Sequence, residues 1–369
     1  MKNIYSLFII VFVSIIINAK IALGSEPSVV FINPGKTGEV FWDMVSDFMQ
    51  QAGEQLNINL TIYTAERDHI KMTQLAQNVA NSANAPDYMI LVNEKGFVSR
   101  VLPNIPESIK IILLNNGLSK EEQQKYGEPR EIFPNWLATV VPDHKKAGLD
   151  IMKKLIERGY QENQNDFQKE LGLIAIGGNK STIASQLRLA GMREMIRGYN
   201  HIRLYQTIFS EWRQDKAHNQ IFGLIRRWPN TRFIWAANDP MALGALSAVK
   251  LRNYNPGKSV FIGGLNWSNE ALEKVANGEL VVTVGGHFML GGWTLVMIYD
   301  EYRGKDFVDL GETITIPMNI ISQNNVLNYL KKFGDQNWAK INFKKFSRIG
   351  AVKDYDYDFS LRRLLSENN

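Results

Sequence analysis

Short apolar runs alternate with amphipathic helical stretches along most of the chain, and this alternation constrains the fold more than any other feature. The first series of apolar runs lies at residues 29–33, 59–64, 88–93 and 109–115, with helical stretches at 40–56 and 70–83. Strands that alternate with helices predict a parallel sheet covered by helices on both faces. Residues 117–134 are polar and rich in turn formers, and we expect an irregular loop there.

The same alternation starts again near Ala138. It continues with predicted strands at 138–141, 171–176, 202–209, 233–237, 259–263 and 280–284, with helices at 143–158, 183–199, 215–228, 269–277 and 287–302, and with a strand at 313–316. We therefore predict an α/β fold of two doubly wound parallel-sheet lobes with a hinge and a cleft between them. The glycine pair at 285 and 286 suggests a return between lobes, so the predicted lobes are residues 25–139 plus 287–317 and residues 140–286. A crossover and a basic, aromatic tail follow at 318–369.

One strand, turn and helix unit stands out at residues 233–252. Its apolar run ends at Ala237, and Asn238-Asp239-Pro240 then supplies a helix cap and a first-turn proline. Ligands of open α/β sheets bind at such carboxyl strand ends. Asn238 can therefore be a plain N-cap, or its amide can reach into a cleft, and the local sequence supports both interpretations.

The first 24 residues have the pattern of an export signal. Lys2 precedes an apolar run at residues 7–17, and Ala22-Leu23-Gly24 offers a cleavage site, so we expect a mature periplasmic protein that begins at Ser25. A retained membrane anchor is the alternative, but Asn18 and Lys20 interrupt the run before the roughly 20 apolar residues that a span needs. The chain has no cysteine, which excludes disulfides, thiolate catalysis and Cys-ligated zinc.

Other functional classes have little support in the sequence. The net charge of +5 comes from Lys and Arg interleaved with Asp and Glu, which indicates a solvated surface and no nucleic-acid partner. Two glycine-lysine turns, at residues 35–37 and 257–259, lack the earlier glycine of a phosphate-binding loop. The five histidines lack metal-ligand spacing and no nucleophile elbow occurs, so we expect no metal, no cofactor and no enzymatic activity.

Polar and aromatic residues recur directly after the predicted strands, as expected for the lining of a cleft. Aromatic faces cover the C–H surface of a sugar ring while Asn, Glu and Arg bind its hydroxyls. Each candidate also has a purely structural interpretation. Trp42 could pack in the core, Arg188 could be exposed to solvent, and Asn115 could cap a turn. The candidate ligand-binding residues are Glu39, Phe41, Trp42, Asn93, Asn115, Arg188, Trp212, Asn238, Asn266, Trp267 and His287.

Two of these segments resemble motifs of the periplasmic sugar-binding proteins of the ribose and galactose type, whose fold is shared with lactose-repressor-like regulators. Residues 238–245, NDPMALGA, are similar to the family's N-D-x-M-A-L-G-A, and residues 188–192, RLAGM, resemble its R-x-x-G-F. The resemblance covers roughly residues 29–320. It implies that Asn238 and Arg188 bind ligand hydroxyls, and that Phe41, Trp42 and Trp212 supply the aromatic contacts.

The chain also departs from the family pattern. Asn115-Asn116 stands where the family often has an aspartate-arginine pair, and residues 263–267, GGLNW, replace its G-F-D. An Asn-Trp pair at this position, here Asn266-Trp267, resembles the periplasmic receptor for the furanosyl-borate autoinducer more than the sugar-binding proteins.

The resemblance implies a monomeric periplasmic solute-binding protein that closes on a small carbohydrate and delivers it to the membrane permease of an ABC importer. A ligand receptor for a membrane sensor, such as a histidine kinase, chemoreceptor or cyclase, is the alternative. An exported enzyme that uses Glu39 or His287 is a further possibility, but neither has a second carboxylate or a nucleophile assigned to it.

Overall fold

The structure is a computed structural model that describes residues 26–162, 170–350 and 356–366. The predicted export signal at residues 1–24 lies outside these ranges. Within them the chain forms two six-stranded sheets, each packed against helices, which confirms the predicted two-lobe α/β fold. None of the helices in the described ranges combines the length and apolar character that a membrane crossing needs.

The first sheet is parallel throughout, with the strand order β2-β1-β3-β4-β5-β11. Its strands are β1 (Ser28–Asn33), β2 (Asn59–Thr64), β3 (Tyr88–Leu91), β4 (Lys110–Leu114), β5 (Trp136–Pro142) and β11 (Thr313–Ile316). Both faces are covered: Val29 and Phe31 of β1 belong to one buried cluster, and Val30 and Ile32 belong to another. This alternation follows from the two-residue period of a strand.

The second sheet has the strand order β7-β6-β8-β9-β10-β12, and only the pairing of β12 with β10 is antiparallel within the described residues. Its strands are β6 (Leu171–Gly177), β7 (Ile202–Phe209), β8 (Thr231–Ala236), β9 (Phe261–Leu265), β10 (Val282–Gly285) and β12 (Asn319–Ser322). In both sheets the chain order reverses once, between β1 and β3 and between β6 and β8. Such switch points open a crevice at the carboxyl ends of the strands.

Helices connect most of these strands. They are α1 (Val40–Leu56), α2 (His69–Ala80), α3 (Val98–Val101), α4 (Lys120–Tyr126), α5 (His144–Glu162), α6 (Ile183–Ile196), α7 (Gln214–Arg227), α8 (Asp239–Leu251), α9 (Asn269–Ala276), α10 (Leu290–Tyr302), α11 (Val326–Phe333) and α12 (Leu361–Ser366). Short 3₁₀ turns lie at Leu102–Asn104, His287–Met289, Val308–Leu310, Trp338–Lys340 and Phe343–Phe346.

The chain passes between the two sheets three times. It leaves the first sheet after β5, returns after β10, and leaves again between β11 and β12. Helix α5 packs against β8, β9 and β10, whereas α10 packs against α1 and β5. The first residues after the first two crossings are therefore at the border between the lobes, and they include His144 and His287.

The expectation of an irregular loop at 117–134 is wrong in part, because α4 lies within it. Ser119 and Glu122 form a capping box: the Ser119 Oγ accepts from the Glu122 amide, and the Glu122 carboxylate accepts from the Ser119 amide. This S-x-x-E pattern was legible in the sequence and marks a helix start.

The C-terminal segment, predicted only as a crossover and a basic, aromatic tail, contacts both lobes. Helix α11 packs against α9 of the second lobe. Trp338 and Phe343 then pack edge-on against Phe48 of α1, with ring centroids 5.5 and 5.2 Å away. Farther along, Phe359 stacks on Trp293 of α10 at 4.9 Å. The aromatic residues of the tail therefore bury apolar surface against the first lobe.

Candidate ligand-binding site

A cavity of about 480 Å³ lies between the lobes, lined from both sides by residues that follow the carboxyl ends of strands. This is the position expected for a crevice at two facing switch points. Nine of the predicted residues line it: Glu39, Phe41, Trp42, Asn115, Arg188, Trp212, Asn238, Asn266 and His287. The structure thus brings together side chains that are distant in sequence and come from both sheets.

The structure places Asn93 and Trp267 outside the cavity wall. The Asn93 amide nitrogen donates to the Gly117 carbonyl at 3.1 Å and to the Glu122 carboxylate at 2.8 Å, so this side chain joins two loops of the first lobe. Trp267 is fully buried and donates its Nε1–H to the Thr283 carbonyl at 3.2 Å. Its ring packs edge-on against Tyr329, which makes it a core residue beneath Asn266.

Arg188 is the most deeply embedded charge in the cavity wall, with only 4% of its surface exposed. Its Nη1 donates to the Ala237 carbonyl at 2.8 Å, and its Nε donates to His144 Nδ1 at 3.3 Å. Its guanidinium also lies over the Trp212 ring, 5.7 Å from the centroid. Burial lowers the pKa of Arg188 to about 9, and the charge of Asp239 acts in the opposite direction. The guanidinium is still protonated at neutral pH.

Two glycines set the backbone position of Arg188. A Cβ added at Gly148 of α5 would lie 1.9 Å from the Arg188 carbonyl oxygen, and one at Gly191 of α6 would lie 1.8 Å from the Lys145 carbonyl oxygen. Helices α5 and α6 therefore cross at a distance that only glycine permits on both sides.

Two buried histidines hold the guanidinium from the border between the lobes. His144 accepts from Arg188 at Nδ1, and its Nε2 lies 3.2 Å from the Asn115 carbonyl oxygen, so its proton is on Nε2. His287 Nε2 lies 3.2 Å from Arg188 Nη2, which assigns the proton of His287 to Nδ1. Burial, with the Arg188 charge second, lowers the pKa of both histidines well below 6.5, so both are neutral.

Asn238 fulfils both interpretations left open by the sequence. Its Oδ1 accepts from the Met241 amide at 3.0 Å, which is the N-cap bond of α8. Its Nδ2 donates to the Trp212 carbonyl at 3.1 Å, and the residue also lines the cavity. An amide has two further hydrogen-bonding positions, so the cap leaves a donor and an acceptor position for a ligand.

Aromatic rings form the remaining walls. Phe41 stacks on His287 with centroids 4.5 Å apart, and Trp42 packs edge-on against Phe41 at 5.0 Å. Trp42 is 2% exposed, so the cavity and core interpretations both apply to it. On the opposite lobe, the Trp212 backbone has the left-handed φ of 64°, and the ring covers Gly178, where a Cβ would lie 2.3 Å from it. Such backbone strain is typical of ligand clamps.

Four buried polar atoms of the cavity wall have no hydrogen-bond partner among the residues that the structure describes. They are Trp42 Nε1, Asn115 Oδ1, Asn116 Oδ1 and His287 Nδ1. Buried polar groups are nearly always paired, and an unpaired one costs about 1–3 kcal/mol. Each of these atoms is enclosed by protein in this structure, so a ligand that supplies donors and acceptors would pair with it only after the side chain turns toward the cavity.

Ion pairs lie in the wall of the cavity. Arg67 donates its Nε to Glu39 at 3.0 Å and forms a longer contact with Glu94 at 3.4 Å. Glu39, predicted as a ligand-binding residue, is thus engaged with Arg67, and burial raises the pKa of Glu94. Arg67 also lies over the Trp42 ring, 5.9 Å from its centroid.

Sequence reasoning missed several residues of this site. His144 follows β5 directly, so the strand-end rule could have found it. Arg67 follows β2 and Glu94 follows β3, but charged residues in loops are typical of a solvated surface, so the sequence did not single them out. Gln336 comes from the C-terminal segment and lines the cavity beside Asn269, whose Nδ2 donates to the Gly334 carbonyl at 3.3 Å; no local signal predicts this contact. In the described part of the chain, no group of three acidic, histidine or cysteine residues could hold a metal ion.

Comparisons with known proteins agree with this architecture. The chain is similar to the crystal structure of a periplasmic sugar-binding protein from Pseudomonas fluorescens, with a TM-score of 0.83 and 33% identity over 92% of this chain and 99% of that one. It is 23% identical to the ribose import binding protein of Haemophilus influenzae over 77% of this chain and 87% of that protein.

A shorter match, 31% identical over 130 residues, is with the lactose operon repressor of Klebsiella pneumoniae, and it spans 35% of this chain and only 34% of the repressor. The family model described as periplasmic binding protein domain matches residues 29–306, which include both sheets up to β10 and nearly all of the cavity wall. The chain therefore belongs to the periplasmic binding protein family.

Proposed function

We propose that this protein captures a small carbohydrate or a similar polar ligand in its cleft and delivers it, chemically unchanged, to an ABC importer. The observation that carries the proposal is that Arg188 and Asn238 from one lobe line the same cavity as Trp42 from the other lobe. A cation with spare donors, a capping amide and an aromatic face are the groups that bind a polyhydroxylated ring.

The hydrogen-bonding pattern of the wall supports a polyol. Trp42 Nε1 and His287 Nδ1 are donors, whereas Asn115 Oδ1 and Asn116 Oδ1 are acceptors. A hydroxyl group donates one hydrogen bond and accepts two, so a ring with several hydroxyls can pair with both kinds of atom once their side chains turn toward the cavity.

The relatives support the transport role. One is named as an import binding protein and another as a periplasmic sugar-binding protein. We infer that the mature chain begins at Ser25 and acts in the periplasm as a monomer. Its lobes, residues 25–139 plus 287–317 and residues 140–286, would close on the ligand by rotation at the crossings.

A thermal-shift screen of the protein beginning at Ser25 tests ligand capture, with pentoses, hexoses, polyols and sugar acids as probes. A ligand at 100 times its dissociation constant should add about 2.7 kcal/mol to the free energy of unfolding. Titration calorimetry of each hit, followed by chromatography of the recovered ligand, tests binding without chemical change. If no probe stabilises the protein, the carbohydrate assignment is wrong.

Uptake tests the delivery step. Cells that lack the protein should accumulate less of the labelled ligand than cells that contain it, and Arg188→Ala should fail to restore uptake. Equal uptake by the two strains would contradict the importer role but would leave ligand capture standing.

A further inference from the structure

Arg188 carries a charge that no neighbouring carboxylate pairs with directly. Among the described residues, no carboxylate oxygen forms a hydrogen bond or an ion pair with its guanidinium. The electrostatic partner is Asp239, but this carboxylate accepts from the Ser268 amide at 2.9 Å and from the Thr283 hydroxyl at 2.8 Å. A buried charge without a direct partner is costly, and an anionic ligand would relieve that cost.

The hydrogen-bond count of the guanidinium leaves room for two ligand oxygens. Arginine has five N–H groups, and three of these point at the Ala237 carbonyl, His144 Nδ1 and His287 Nε2. The two that remain are on different terminal nitrogens. Two N–H groups on separate nitrogens match the two oxygens of a carboxylate.

His287 adds a third donor to the same region. Because its Nε2 accepts from Arg188, its Nδ1 carries the proton, and this buried Nδ1 has no partner within the described ranges. His287 is 4% exposed and lines the cavity. The region around Arg188 therefore offers donors and a positive charge, and we call Arg188 with His287 the donor pole.

Acceptors lie on the other lobe. Asn115 Oδ1 and Asn116 Oδ1 are buried and unpartnered among the residues described, and both residues line the cavity. We call this pair the acceptor pole. A ligand that pairs with these two oxygens, once their side chains turn toward the cavity, must donate, which hydroxyls do and a carboxylate does not.

We propose that the ligand is a polyhydroxylated monocarboxylate, a uronic or aldonic acid, with its carboxylate on the donor pole and its hydroxyls toward the acceptor pole. This proposal rests on the proposed function and narrows its ligand class. A single negative charge fits, because the other cation of the cavity wall, Arg67, is paired with Glu39 and Glu94. A phosphate, with nearly two charges, would meet only one unpaired arginine.

The test is titration calorimetry with pairs of probes that differ only in the carboxylate: D-galacturonate against D-galactose, D-glucuronate against D-glucose, and D-gluconate against D-glucitol. For at least one pair the acid should bind more tightly by roughly ten- to a hundredfold, since a hydrogen bond to a charged group contributes more than one to a neutral group. Neutral probes that bind as tightly as their acids in every pair would overturn the proposal and leave carbohydrate capture intact. A panel in which no probe binds would contradict both.

Variants test the assignment to Arg188. Arg188→Gln keeps an amide donor but removes the charge, and the ratio of acid to neutral affinity should fall to about one. Arg193→Gln is the matched control, because it removes an exposed charge from the same helix, outside the cavity wall. Melting of each ligand-free variant identifies any that fails to fold, and His287→Phe, which keeps a ring against Phe41, then provides the second test. Preference for the acid that survives both folded variants would overturn the assignment.

Discussion

Replacing Gly148 with alanine should destabilise the protein and displace Arg188, the proposed ligand-binding arginine. The new Cβ would lie 1.9 Å from the Arg188 carbonyl oxygen, and ordinary contact begins near 3.4 Å, so α5 and α6 must separate by about 1.5 Å. Overpacking of this kind costs about 1–3 kcal/mol, while alanine in a helix gains about 0.5–1 kcal/mol over glycine. The expected net loss in the free energy of unfolding is therefore about 0–2.5 kcal/mol.

Gly223 provides the matched control. It lies in α7 on the surface, and a Cβ there would meet no atom within 4 Å among the described residues. Gly223→Ala should therefore raise the free energy of unfolding by about 0.5–1 kcal/mol. Urea unfolding followed by tryptophan fluorescence measures the free energy of unfolding of both variants. We expect Gly148→Ala to lower it and Gly223→Ala to raise it.

The same displacement should reach the site. Because the clashing atom is the Arg188 carbonyl oxygen, the separation moves the backbone of Arg188 and lengthens its 2.8 Å bond to Ala237. Ligand affinity should then fall roughly ten- to a hundredfold, the loss expected for a hydrogen bond to a charged group. If Gly148→Ala is as stable as Gly223→Ala and binds ligand like wild type, the close helix crossing does not position Arg188.

Three further changes have defined outcomes. Trp42→Phe keeps a ring against Phe31 and Phe41 but removes the unpartnered Nε1–H and part of a buried ring, so calorimetry should show weaker binding, while the free energy of unfolding should fall by less than the roughly 3–5 kcal/mol expected for truncation of a buried Trp to Ala; unchanged binding would indicate a core role alone. Gln336→Ala should weaken binding with little change in melting temperature, because this side chain brings the tail to the cavity wall, and normal affinity would show that the tail is only structural. As pH falls below about 6.5, the unfolded chain protonates His144 and His287 while the folded chain does not, so each lowers the free energy of unfolding by about 1.4 kcal/mol per pH unit. A variant with both histidines changed to Gln should lose less free energy of unfolding on acidification than the wild type does. Asp239, whose pKa burial raises to about 6, is present in both proteins, so it does not affect the comparison. An equal dependence on pH in the two proteins would refute the assignment of this loss to the histidines.

The periodicity of the sequence predicted the alternation of strands and helices in the two lobes, because β1 and β8 are apolar runs and the helix after Asn238 begins at a clear cap. The periodicity was less informative about the direction in which individual side chains point. A strand-end position indicates the edge of the sheet at which a side chain lies, but not the direction in which it points. Asn93 and Trp267 both follow strands, yet one joins two loops and the other enters the core.

Residues that depend on tertiary contacts were beyond local patterns. Arg67 lines the cavity because it forms ion pairs with Glu39 and Glu94, which lie in two other loops. Gln336 lines the cavity because α11 packs against α9 and places the turn that follows α11 beside the cavity. Neither has a motif of its own, so sequence reasoning assigns such residues to the surface or to no element.

The two histidines connect Arg188 to the border between the lobes. His144 follows the first crossing and joins the Asn115 carbonyl of the first lobe to Arg188 of the second. His287 follows the second crossing, stacks on Phe41 of the first lobe and contacts Arg188. Under the proposed closure, a rotation at these crossings would change the distance from His144 to Asn115 and the distance from His287 to Arg188, so the orientation of the guanidinium would depend on how far the lobes have closed. A ligand that needs a correctly oriented Arg188 will therefore bind one degree of closure best, which is the differential affinity that ligand-driven closure requires.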